Sequence, residues 1–191
     1  DYLHKKLYDY HVIQADETPV LVNHDGRSAG FKSYMWVYRS GHLYTDKQIV
    51  LYDYHKTRNS SHPQEFPSNY SGICVTDGYQ VYHTIEKECE DLQIAGCWVH
   101  ARRKFDEAIT VIPKAHRNKS DAFLVIKQIQ AIYREEGKLN ELSSEERLTQ
   151  RQLVIKPLVD ALFSYLKKME PTVPASGQLR KAYTCLLYTS D

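Results

Sequence analysis

Long apolar runs are missing from this chain: none approaches the roughly 20 residues that crossing a bilayer requires, so no membrane partner is expected. The opening residues Asp1-Tyr2-Leu3-His4-Lys5-Lys6 contain neither an initiator Met nor the apolar core of a secretory signal, which predicts a cytoplasmic protein and a chain continuing a longer one at its front. Four cysteines (Cys74, Cys89, Cys97, Cys185) form no CxxC pair and no regular framework, so reduced thiols are expected rather than a disulfide scaffold. Net charge is also nearly absent. A formal +1 excludes neither nucleic acid nor any other partner, because a local patch decides that. Internal repeats and low-complexity tracts are lacking too.

What is present suits one hydrophobic core with helical additions. At 191 residues there is too little chain for two full-sized domains, and 42% hydrophobic content is ordinary for a globular protein. The first half has strand character. His11 to Val22 is rich in β-branched and apolar residues and runs into the turn signal Asn23-His24-Asp25-Gly26. Phe31 to Arg39 and Gln48 to His55 are the second and third strands of an antiparallel meander. A loop of Ser, Asn, His and Pro from Thr57 to Pro67 leads to a short helix or turn.

The period then changes. Ile73-Cys74-Val75 is a short buried strand ending at Asp77-Gly78, and Val81, Ile85, Cys89 and Leu92 recur at helical spacing. Ile94 to Val99 returns as a strand, and Phe105, Ala108, Ile109 and Ile112 mark a helix stopped by Pro113. A meander joined to strand–helix–strand–helix predicts an α/β protein with a mixed five-stranded sheet and helices packed on it. From Ser120 onward the pattern is helical. One stripe is Phe123, Ile126, Ile129 and Tyr133; a capping box is Ser143 with Glu146; another stripe runs Leu158, Val159, Leu162, Phe163, Leu166, with Pro157 as a kink or restart and Pro171 to Gly177 as a linker.

Two carboxylates stand at strand ends. Asp16 comes shortly before Pro19, which should limit ladder pairing, and Asp77 ends the fourth strand, where Gly78 permits a sharp turn. Asp16 and Glu17 should point to opposite faces and so should not serve one site together. If the first and fourth strands are neighbours, Asp16 and Asp77 meet at one sheet edge. Paired carboxylates repel unless a cation joins them, and an all-oxygen donor set suits Mg²⁺ or Mn²⁺. The plainer alternative is that each aspartate caps a turn or helix. Asp53 is the competing carboxylate, best read as a solvent-facing strand position.

A basic segment follows, with six Lys/Arg against two acids between Ala95 and Lys119. At its start, His100, Arg102, Arg103 and Lys104 follow a strand end, where a helix N-terminus would add to their attraction for phosphate. The alternative is a solvated helix face. Cys97 and His100 have the spacing of half a zinc site, but the second half is missing. Fifteen tyrosines are read as strand packing groups.

Taken together, Ala15-Asp16-Glu17-Thr18-Pro19, Lys32-Ser33-Tyr34-Met35-Trp36-Val37-Tyr38-Arg39, Ile49-Val50-Leu51-Tyr52-Asp53-Tyr54, Thr76-Asp77-Gly78-Tyr79 and Cys97-Trp98-Val99-His100-Ala101-Arg102-Arg103-Lys104-Phe105 resemble, in order and spacing, the insertion-sequence-66 family of bacterial transposases. These are mobile-element enzymes of the Asp-Asp-Glu type. The resemblance implies an RNase H-like fold, with Asp16 and Asp77 as the first two catalytic acids holding two Mg²⁺ (or Mn²⁺) ions. It implies DNA as partner, both transposon ends and target, with a nucleoid setting and room for a homo-oligomer in the DNA complex. It also suggests that His100, Arg102 and Arg103 lie near the active site, their individual roles unassigned; with Lys104 they are the expected DNA-binding group on the basic segment. The domain reading is a catalytic core over 1–112, a helical insertion over 113–175 and the start of a final core helix over 176–191. The family's third acid, a Glu in an Asn-Asn…Glu-Arg motif, has no counterpart here, and neither Glu17 nor Glu170 is taken to replace it. A truncated, inactive transposase core is therefore expected. The alternatives are an RNase H-like nuclease and a non-catalytic DNA-binding remnant.

Overall fold

The computed structural model describes residues 2–23, 26–28, 30–41, 44, 47–58, 70–77 and 80–188. The middle of the turn after the first strand, most of the loop expected from Thr57 to Pro67, and the turn at Gly78 lie outside the described residues. Two compact units divide the chain, 1–97 and 98–191.

The first unit begins with a short helix, α1 (Tyr2–Leu7), and continues through strands β1 (Val12–Leu21), β2 (Lys32–Ser40), β3 (Val50–His55) and β4 (Gly72–Thr76), helix α2 (Gln80–Glu88) and strand β5 (Leu92–Gly96). The five strands form one sheet in the order β3-β2-β1-β4-β5. β2 is antiparallel to both β1 and β3, whereas β4 is parallel to β1 and β5 to β4. This mixed order is that of an RNase H-like α/β fold, as expected. Alternation along β1 turns Ile13 and Ala15 inward, where they join Trp36 and Tyr38 of β2, Leu51 of β3, Cys74 of β4, and Tyr82 and Ile85 of α2. Each large side chain so buried contributes roughly 1.5–3 kcal/mol.

Gly72 sets where β4 begins. Its φ of 140° is in the region glycine alone tolerates, and an added Cβ would lie 2.6 Å from both the His11 carbonyl and the Tyr70 hydroxyl. Around it, the Ile73 N–H donates to the His11 carbonyl (2.8 Å), and the Tyr70 hydroxyl donates to the Tyr10 carbonyl (2.7 Å). β4 is thereby pinned against the start of β1. Pro19 limits the ladder less than expected. Pairing of β1 with β2 runs on through Pro19↔Tyr34 to Leu21↔Lys32, while pairing with β4 is confined to Val12–Gln14. Beyond Gln14 that flank of β1 has no ladder partner among the described residues, and an edge tolerates a residue without an N–H.

The second unit is helical: α3 (Trp98–Thr110), α4 (Asp121–Gly137), α5 (Ser144–Gln150), α6 (Lys156–Met169) and α7 (Gln178–Tyr188), with 3₁₀ turns at Lys114–Lys119 and Glu170–Thr172. Its core gathers Phe105, Ile129, Leu162, Leu166, Tyr183 and Leu186. Ser120 caps α4 by accepting the Phe123 N–H, and the expected capping box is present, Ser143 and Glu146 exchanging side-chain-to-backbone bonds. Pro157 acts as a restart. It has no N–H to donate into the preceding turn, and the chain just before it, Arg151–Ile155, winds as a π-helix in which the Lys156 N–H reaches back to the Arg151 carbonyl.

Several expected boundaries move. Leu92 opens β5 instead of closing a helix, and Trp98 and Val99 belong to α3 rather than to a strand. On α4 the buried face is Ala122, Val125, Ile126, Ile129 and Ile132, leaving Tyr133 exposed, because the phenol can reach water while isoleucine gains only by burial. The linker expected at Pro171 to Gly177 places Val173 in the core. No described helix is long and apolar enough to cross a membrane, and no disulfide forms among the described residues.

Gly72→Ala is expected to destabilise the fold by about 2–4 kcal/mol in denaturant titration, from the backbone strain and the added clash. Gly137→Ala, where a Cβ meets nothing within 4 Å, should be neutral or stabilising by up to about 1 kcal/mol. Cys74 is fully buried and its thiol is pushed up to about 12 by that burial. Iodoacetamide at pH 8 should leave Cys74 unmodified in the native protein and alkylate it in denaturant, read by peptide mass spectrometry.

Candidate metal centre

Register places the carboxylates. β1 and β4 pair in parallel with a constant offset of 61 positions, Val12 beside Ile73 and Gln14 beside Val75, and the same offset separates Asp16 from Asp77. Parallel strands keep side chains of level residues on one face. Asp16 and Asp77 are therefore level just past the C-terminal end of β4, at an opening of the ladder. The neighbouring backbone is held as well: the Cys97 N–H donates to the Thr76 carbonyl at 2.7 Å. Asp16 is oriented by its own successor, whose N–H donates to Oδ1 at 2.9 Å.

Glu17 joins them, contrary to the expectation from strand alternation. Carboxylate oxygens of Asp16, Glu17 and Asp77 all lie within 4.8 Å of one another. Alternation does start Glu17 on the inner face, after Ile13 and Ala15 and level with buried Trp36. The β1–β4 ladder, however, has already ended at Gln14, so no strand backbone separates the two faces there, and two methylenes carry the carboxylate to the opening. Its side chain is 4% exposed, against 23% for Asp77.

Arg58, three residues beyond β3, supplies the cation of this cluster. Its guanidinium donates to Glu17 Oε1 and stands 3.9 Å from Asp77 Oδ2. Burial pushes the Glu17 carboxyl above its ordinary pKa, the charge of Asp77 pushes it further, and Arg58 offsets only part of the rise. The Arg58 guanidinium thus lies against two of the three acids. Among the described residues this is the one group of three His, Cys, Asp or Glu side chains close enough to hold a metal ion. Its donors are oxygens alone, which suits a hard divalent cation.

Asp53 is placed elsewhere. It lies on β3 level with Trp36, partly buried rather than solvent-facing, and its charge helps to raise the Tyr38 phenol.

His100, Arg102, Arg103 and Lys104 lie on α3, in the second unit, and the other three cations of the basic segment, Lys114, Arg117 and Lys119, on the 3₁₀ turn that follows it. His100 is half-buried, while Arg102, Arg103 and Lys104 are exposed opposite the buried Ala101, Phe105 and Ala108. α3 begins at Trp98, so the three cations fall in its second turn, beyond the free N–H groups expected to add to their pull on phosphate. Arg102 pairs with Asp106 and Lys104 with Glu107, each at 3.6 Å. Exposed pairs of this kind contribute little and yield readily to a competing anion.

The structure brings together Asp16 and Asp77, as their motifs led one to expect, and adds Glu17 and Arg58, which the sequence did not place beside them. Arg58 carried no local signal: 41 positions separate it from Glu17, and only the folded sheet brings them together.

Comparison with known proteins adds an independent line. The family model described as "Transposase IS66 family" matches residues 1–191. Three curated proteins of Sinorhizobium fredii (strain NBRC 101917 / NGR234) are similar, all described as uncharacterized. Protein y4hP is 30% identical over 145 residues, covering 71% of this chain and 26% of its own length. Protein y4qI is 27% identical over 178 residues, covering 88% and 32%. Protein y4jD is 24% identical over 147 residues, covering 73% and 28%. The chain thus spans about a third or less of the length of these relatives.

Crowded acids should cost stability when no cation is bound. Asp77→Asn is expected to melt at or above the unsubstituted protein in chelator, with a gain of up to about 1 kcal/mol from relieved repulsion. A clear loss, read by thermal melting in EDTA, would show that the acids are held for stability.

Proposed function

The chain belongs to the IS66 family of transposases, and from that premise we propose that Asp16 and Asp77 are catalytic acids of a DNA-transposing enzyme that hold Mg²⁺ or Mn²⁺, two ions in the complete site. The observation that carries this is the shared register of β1 and β4, which makes two acids 61 positions apart level at one opening of the sheet. The donor chemistry fits. All three clustered side chains offer oxygen, none offers sulfur or nitrogen, and the buried Glu17 Oε2 has no hydrogen-bond partner among the described residues.

Bound divalent cations would supply Lewis-acid polarisation of the phosphodiester and a lowered pKa for the attacking water or hydroxyl. The chain's own residues bind and position. Asp16, fixed by the Glu17 N–H, and Asp77, at the end of β4, form a preorganised pair that needs no large rearrangement to meet a ligand. In the reaction assigned here, water opens the P–O3′ bond at a transposon end, and the freed 3′-hydroxyl then displaces a 3′-oxygen in target DNA. Arg102, Arg103 and Lys104, with His100 beside them, are assigned to backbone phosphates, where Arg grips bidentately. The core is assigned to 1–112, the insertion to 113–175 and the start of the final core helix to 176–191. No Asn-Asn…Glu-Arg motif occurs in the 191 residues, so by themselves they are assigned cation and DNA binding without strand transfer.

Addition of Mn²⁺ is expected to raise the melting temperature of the protein, and Asp16→Asn or Asp77→Asn should abolish that rise. An unchanged rise in both variants would remove the two aspartates from the site. On duplex DNA, replacing Arg102, Arg103 and Lys104 by glutamine should weaken binding and flatten its salt dependence by about 0.9 in log–log slope for each phosphate no longer neutralised. Strand-transfer assays with Mg²⁺ should give no joined product from the 191 residues; Asp16-dependent joining would overturn the assignment of inactivity. Cleavage without joining would point to a nuclease.

A further inference from the structure

Glu17 is buried at a cost that packing does not explain. Its side chain is 96% buried, its Oε1 is engaged by Arg58, and its Oε2 has no hydrogen-bond partner among the described residues. A carboxylate withdrawn from water with an unfilled acceptor is unfavourable, and an apolar side chain of similar volume against Trp36 would be cheaper. The carboxylate nevertheless points out of the core toward Asp16 and Asp77, within 4.8 Å of both. Arg58 bridges the same group, lying against Glu17 and 3.9 Å from Asp77. Its guanidinium is thus a cation in contact with two of the three acids.

Resting on the reading that Asp16 and Asp77 hold a divalent cation, we infer that Glu17 is a third carboxylate ligand of that cation and that Arg58 is the counter-ion it gives up when the cation binds. The bidentate fork of Arg58 is then released beside the bound cation, with a geometry matched to a phosphate oxygen pair. Three acids from β1 and the end of β4 make cation binding independent of any acid supplied from elsewhere in a longer protein. The distal glutamate of the family is left to the reaction rather than to loading the site.

The test is Mn²⁺ titration of the purified 191-residue protein by calorimetry, with folding checked by circular dichroism. Glu17→Gln should weaken binding at least tenfold. Glu17→Asp keeps the charge but shortens the reach and should also weaken it severalfold. Arg58→Gln, which removes the competing cation, should tighten binding about three- to tenfold. Binding by Glu17→Gln within twofold of the parent overturns the proposal. So does a Glu17→Asp protein that binds like the parent while Glu17→Gln does not, since charge acting through space would then explain the loss. If Glu17→Gln fails to fold, Arg58→Gln decides: tighter binding supports the exchange, and unchanged or weaker binding overturns it. Failure of the underlying reading looks different, because Asp16→Asn and Asp77→Asn would then leave Mn²⁺ binding unaltered.

Discussion

A parallel ladder of three residue pairs, Val12–Gln14 against Ile73–Val75, is the constraint on which the candidate site depends. It is short because β1 continues to Leu21 while β4 stops at Thr76. The ladder aligns Asp16 with Asp77, and its early end leaves the opening through which Glu17 reaches them. A longer β4 would have kept Glu17 on the inner face, as alternation alone requires. The contacts that hold the ladder in place, at Gly72, His11 and Tyr70, lie at its far end from the acids. Structure and chemistry are thus separated by one strand length, and packing can be firm at one end while charge accumulates at the other.

That accumulation has a physical signature. Burial and the neighbouring charge of Asp77 raise the proton affinity of Glu17, Arg58 compensates partly, and Glu17 Oε2 keeps no hydrogen-bond partner among the described residues. A protein selected for stability alone would not retain this arrangement, since every member could be replaced by something that repels less. Three oxygen-donor side chains gathered on one strand and at its neighbour's end are what the proposed cation site rests on.

The sheet was largely legible in the sequence, because strands with one buried face announce themselves through β-branched and aromatic residues. All five were located to within a few residues, and the family resemblance implied an RNase H-like fold, while their order in the sheet came from the structure. Side-chain direction was less legible. Tyr133 was placed inside by spacing and lies outside; Val173 was placed in a linker and lies in a core. Apolar composition gives a helix its stripe only when each apolar residue prefers the interior, and tyrosine does not always. At the site, Asp16 and Asp77 stood in recognisable motifs, whereas Glu17 was set aside by the alternation rule and Arg58 was invisible. Both depend on where a ladder ends, which is a property of two strands jointly and is written in neither.

Pinning β4 to β1 through the His11 carbonyl also settles which stretches of chain can change length. Insertions or deletions in the connections between β1 and β2 or between β2 and β3 lengthen or shorten excursions that leave the β1–β4 register untouched, so the facing of Asp16 and Asp77 is indifferent to them. A single residue gained or lost between His11 and Asp16, or between Gly72 and Asp77, would turn one aspartate to the opposite side. Divergence in length within this lineage should therefore crowd into the excursions and spare two six-residue windows, 11–16 and 72–77.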